Sequence, residues 1–92
     1  MDEAIDVSLD RVRAIIQTIS ADEFSTGDII REYGGGFFSN QNTPVYYSFN
    51  AQFGKLLKRN MPQLGIREVA SNVQTKDDRG NATSTSVWAR NA

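Results

Sequence analysis

The 92-residue chain contains neither cysteine nor histidine. Without cysteine it has no disulfide, no thiolate nucleophile and no cysteine-ligated zinc. Without histidine it lacks the side chain that most often acts as a general base near neutral pH, and the commonest metal ligand. Proline occurs only twice, and no apolar run approaches the roughly 20 residues that cross a bilayer. The opening MDEAIDVSLD is acidic and has neither the cationic start nor the apolar core of a secretory signal, so a cytoplasmic location is the expectation. Catalysis would fall to carboxylates or a lysine. The adjacent Asp77 and Asp78 lie in an expected turn, with no base, nucleophile or ligand set beside them. The chain is therefore expected not to be an enzyme, and to hold no cofactor and no metal.

What is present fits one small folded unit spanning residues 1–92. Apolar residues make up 39% and charged residues 23%, the ordinary range for a soluble globular domain. The net charge of -1 conceals an asymmetry. Residues 1–33 hold eight acidic and three basic side chains, whereas residues 34–92 hold three acidic and seven basic ones. An acidic end and a basic end suit different partners.

Ser8 is a good N-cap for a first helix in which Leu9, Val12, Ile15, Ile16 and Ile19 fall within about 120° of arc. Arg11, Arg13, Gln17 and Thr18 occupy its opposite, solvated face. In EFSTGDIIREYGGG, Ser25 and Asp28 have capping-box spacing ahead of Ile29, Ile30 and Tyr33. This predicts a short second helix over residues 26–33, stopped by Gly34 in the left-handed conformation. Phe24, just before the cap, suits a very short strand. The three glycines at 34–36 follow a helix instead of opening one, so they read as a stop and not as a phosphate cradle. FFSNQNTPVYY, residues 37–47, reads as a polar loop tip between aromatic pairs that anchor it.

SFNAQFGKLLKRN predicts a third helix over residues 48–60, capped by Ser48 and ended near Asn60 by Pro62. Phe49, Phe53, Leu56 and Leu57 cluster on one side, while Gln52, Lys55, Lys58 and Arg59 share, with Ala51, an arc of about 120° on the other. Gly65 marks a turn. The period then changes: in IREVASNVQT, Val69, Ser71, Val73 and Thr75 alternate against Ala70, Asn72 and Gln74, which predicts a strand. TKDDRGN is a hairpin loop with Gly80 at positive φ, and ATSTSVWAR is the returning strand, with Trp88 as its large packing residue.

The order of helix, helix, basic helix and hairpin resembles the winged helix-turn-helix superfamily, an α+β fold of three helices and a C-terminal β-hairpin wing. The resemblance runs from about Leu9 to Arg90. It rests on FSTGDII, on NAQFGKLLKRN followed by LGI, and on the closing VWAR. The chain departs from the pattern in its connection between the second and third helices, residues 34–47, where a compact helix-turn-helix uses about three or four residues. The resemblance implies a DNA-binding protein, as in transcription regulation, with the third helix in the major groove and the hairpin as a wing on the backbone or minor groove. Lys55, Lys58 and Arg59 would then meet phosphates and Gln52 an adenine, with Lys76 and Arg79 on the wing. Asp77 and Asp78 between them would repel phosphate. The alternative is a winged-helix protein-interaction module that binds no DNA, since a fold does not fix a function. Homodimerisation stays open in either case.

Overall fold

The computed structural model describes residues 7–37 and 49–91; of Phe49 it describes the backbone only. The expected cap at Ser48 and the loop from Phe38 to Tyr47 lie outside the described residues. The fold is α+β. Its elements run α1 (Leu9–Thr18), β1 (Glu23–Ser25), α2 (Thr26–Gly34), α3 (Phe49–Arg59), α4 (Met61–Leu64), β2 (Ile66–Lys76) and β3 (Ala82–Arg90). The strands form one antiparallel sheet in the order β1-β3-β2. Among the described residues no helix is long and apolar enough to cross a membrane.

The helix starts follow from local chemistry. Ser8 Oγ accepts from the Arg11 amide at the head of α1. Ser25 and Asp28 exchange hydrogen bonds, each 3.0 Å long, in a complete capping box at the head of α2. Such a cap is worth about 1 kcal/mol, because it satisfies amides that the first helical turn leaves without a carbonyl. The end of α2 differs from expectation. Gly34 is still helical, and Gly35, at φ 87°, takes the left-handed position, with its amide bonded to the Arg31 carbonyl. The helix thus runs one residue further than expected, through Gly34.

A fourth helix was not expected. Asn60 closes α3 by donating its side-chain amide to the Leu56 carbonyl at 2.8 Å. The chain then re-enters a helix at once, with Pro62 in the first turn of α4 and Gly65, at φ 69°, ending it. Proline's missing amide is harmless there, since first-turn amides have no intrahelical partner. The same proline that stops one helix therefore starts another.

The core is built by the residues whose spacing marked them. Val12, Ile16, Phe24, Ile29, Ile30, Phe53, Leu57 and Trp88 are buried in one cluster, joined by Phe37, Leu64 and Ile66. Each such side chain contributes about 1.5–3 kcal/mol by leaving water. Three arginines tie the layers at their edges. The Arg11 guanidinium lies 4.1 Å over the Tyr33 ring and donates to the Tyr33 carbonyl. Arg90 donates to the carbonyls of Ile16 and Ala21, fastening the end of the sheet to the end of α1. Arg13 donates to the Gln63 carbonyl at 3.1 Å. Arg11 and Arg13, read from sequence as solvated, thus also staple α1 to α2 and α4.

β2 does not keep a single alternation. Glu68 pairs with Trp88, Ala70 with Val87, Val73 with Thr85 and Gln74 with Ser84. Two extra residues are thus accommodated in β2, and Asn72 sits at the second irregularity with φ 54°. Each slip turns the strand over, because side chains alternate with period two. Ala70 and Val73 therefore share a face, and Val69, expected in register with Val73, is left 44% exposed.

Candidate nucleic-acid interface

Helix α3 is held by its apolar side. Phe53 and Leu57 are completely buried, and Phe53 meets the edge of the Tyr33 ring with centroids 5.8 Å apart. At about 100° per residue, the direction opposite this pair is occupied by Lys55. Lys58 lies on the flank toward the sheet, while Arg59 and Gln52 lie on the other flank. Lys55, Lys58 and Arg59 are exposed, and Gln52 is half-buried. The four residues expected on one cationic arc are therefore brought to one helix but divided around its crest.

Between the sheet-side flank of α3 and the hairpin runs a groove of about 640 Å³. Its helix wall is Asn50, Ala51, Gly54, Lys55 and Lys58. Its strand wall is a series of hydroxyl and amide side chains, among them Asn72, Gln74, Ser84 and Ser86. Thr26, Phe37 and Trp88 stand at its inner end. Gly54 faces open space: a Cβ placed on it would meet nothing within 4 Å. A glycine inside a helix costs about 0.5–1 kcal/mol relative to alanine, and no packing against the described residues explains its presence.

An ion pair crosses the groove. Lys58 Nζ lies 3.2 Å from Glu68 Oε1, joining α3 to β2, with the lysine side chain 65% exposed and the glutamate 22%. Sequence reasoning placed Lys58 among phosphate ligands and overlooked Glu68. A signal was available, since Glu68 is the sole carboxylate between Tyr33 and Lys76. Lys55 forms no ion pair among the described residues.

The hairpin tip is not a free arm. Asp77 is buried and accepts from the amides of Arg79 and Asn81, both at 2.9 Å, so it shapes the turn. Asp78 accepts from the Phe37 amide at 2.8 Å and from Arg31 Nε at 2.7 Å, while its own amide donates to the Phe37 carbonyl. The Phe37 amide first, and then the Arg31 guanidinium, hold the Asp78 carboxyl below its ordinary value of 3.8. The two aspartates, read from sequence as a repulsive charge between Lys76 and Arg79, thus form the turn and clamp it to the end of α2. Lys76 and Arg79 remain exposed on either side of that clamp. They sit on the hairpin, a different part of the fold from the α3 cations.

All three carboxylates of the basic half are engaged in this way: Glu68 with Lys58, Asp77 in the turn, and Asp78 with Arg31 and Phe37. Among the described residues no group of three or more potential ligands could hold a metal ion. Compared with known protein families, with curated proteins and with solved structures, the chain shows no match.

Proposed function

We propose that the chain is a small winged-helix domain that binds nucleic acid, duplex DNA first of all, through α3, and that it serves transcription regulation. The observation that carries this reading is the placement of Lys55: exposed, without an ion pair among the described residues, and opposite the buried Phe53 and Leu57. Arg59 follows one turn later, and like charges at that spacing cost a helix a few tenths of a kcal/mol. The helix dipole offsets this for Lys58 and Arg59, which occupy the last turn, but not for Lys55. A polyanion does offset it.

The dimensions agree with this reading. Eleven residues of α3 make a rod about 16 Å long, and the major groove, about 12 Å wide, admits a helix. Lys55 and Arg59 would neutralise phosphates, and Gln52, a turn earlier, would reach an adenine edge. Lys76 and Arg79 would approach the backbone from the side of the clamped hairpin.

A mobility shift with random-sequence duplex at two ionic strengths tests the reading. Two neutralised phosphates imply a loss of affinity of about tenfold between 50 and 200 mM salt, at about 0.9 per phosphate on logarithmic axes. A protein-interaction module would give no shift, or one insensitive to salt.

A further inference from the structure

Lys58 is an α3 cation that the fold itself engages. Its ammonium is 3.2 Å from a carboxylate that is markedly less exposed than the lysine, and that carboxylate is set in the wall of the groove by β2. Glu68 pairs across the sheet with buried Trp88 and precedes the first irregularity of β2, so its backbone is fixed by the best-packed part of the sheet. The strand wall beyond it carries uncharged hydroxyl and amide groups, and the helix wall narrows to Ala51 and Gly54. Of the ionisable groups that line this groove among the described residues, Lys55 and Lys58 are cationic and Glu68 is the one anion.

We infer that Glu68 is a specificity-determining residue: by holding Lys58 against the sheet it withholds one cation from the phosphodiester strand lying along α3, and so limits sequence-independent binding. This rests on the reading of α3 as a nucleic-acid-binding helix. Non-specific affinity is almost wholly a matter of phosphate neutralisation. A cation cancelled by a fixed carboxylate lowers that term without touching contacts to bases. An internal pair that keeps a cation from the phosphates disfavours unwanted partners without weakening contacts to the wanted one. The arrangement also makes Lys58 and Lys55 unequal, although they are alike in sequence and share a helix.

The test is a double-mutant cycle in the full chain, with Glu68→Gln, Lys58→Ala and the double variant, read by fluorescence anisotropy of a random-sequence duplex over a range of salt. Lys58→Ala, which leaves Glu68 unpaired, is expected to bind no more tightly than wild type. Glu68→Gln is expected to bind about three- to fivefold more tightly near 0.1 M salt, the size of a surface ion pair, and to steepen the salt slope by about 0.9. The double variant is expected to lose both gains. The inference is overturned if Glu68→Gln binds no more tightly, or if its gain persists without Lys58, in which case Glu68 acts as a general repulsive charge. If wild type and Glu68→Gln both fail to bind in a salt-dependent way, the nucleic-acid reading falls and takes the inference with it. Matching circular dichroism and thermal midpoints separate these outcomes from unfolding, and glutamine keeps the shape of glutamate.

Discussion

The indole Nε1 of Trp88 donates to Thr26 Oγ1 at 2.9 Å, a buried hydrogen bond between residues 62 apart in the chain. It joins β3 to the first residue of α2 and stands at the inner end of the groove, so it sets where the hairpin lies relative to the helices. The indole is 1% exposed, and water does not replace a lost partner there.

Replacing Thr26 with valine keeps the volume and removes the acceptor. The Thr26→Val variant should lose about 1–3 kcal/mol in urea unfolding, the cost of a buried donor left unpaired, while Thr26→Ser should retain most of that stability. Equal stability of the two variants would show that the hydrogen bond does not matter.

The clamp formed by Asp78 should be visible in acid. Its folded-state pKa lies below the ordinary 3.8, with the Phe37 amide as the first cause and Arg31 as the second. Between the two values the unfolded chain binds more protons, so stability rises with pH through that window. The contribution is complete above 3.8 and is lost as pH falls through the lowered folded value. Asp78→Asn should flatten the acid limb of a thermal-midpoint profile below pH 4, and an unaltered limb would show that the clamp carries no linkage.

Gly54 sets stability against binding. Because none of the described residues lies within reach of an added methyl group, Gly54→Ala should raise stability by about 0.5–1 kcal/mol through helix propensity. If a nucleic-acid strand approaches this flank of α3, the same variant should bind duplex several times more weakly. A variant that is more stable and binds equally well would show that the strand keeps its distance.

Much of this was legible in the sequence, because the signals were local. The capping box of Ser25 and Asp28, the spacing of Val12 and Ile16, the short strand at Phe24, and the hairpin with Trp88 inside all follow from pattern and turn chemistry within a few residues. Three features were not legible. The left-handed residue fell on Gly35 and not Gly34, because with adjacent glycines the sequence does not say which one the helix reaches. α4 was hidden because Pro62 serves equally well as a stop and as a first-turn residue. The slips in β2 depend on pairing with β3, which no reading of β2 alone contains. The candidate site divided along the same line. Lys55 opposite Phe53 and Leu57 follows from helical period, whereas Lys58 against Glu68 and Asp78 against Arg31 are contacts between distant segments.

The central claim is that the outer side of α3 meets phosphates, and the salt slope of Lys55→Ala tests it most directly. Anisotropy titrations of random-sequence duplex should give a slope shallower than wild type by about 0.9, and by about 1.8 when Arg59→Ala is added. An exposed lysine makes little contribution to the core, so the thermal midpoint should hardly move. Wild-type affinity that does not fall with salt, or a slope that Lys55→Ala leaves unchanged, would contradict the account.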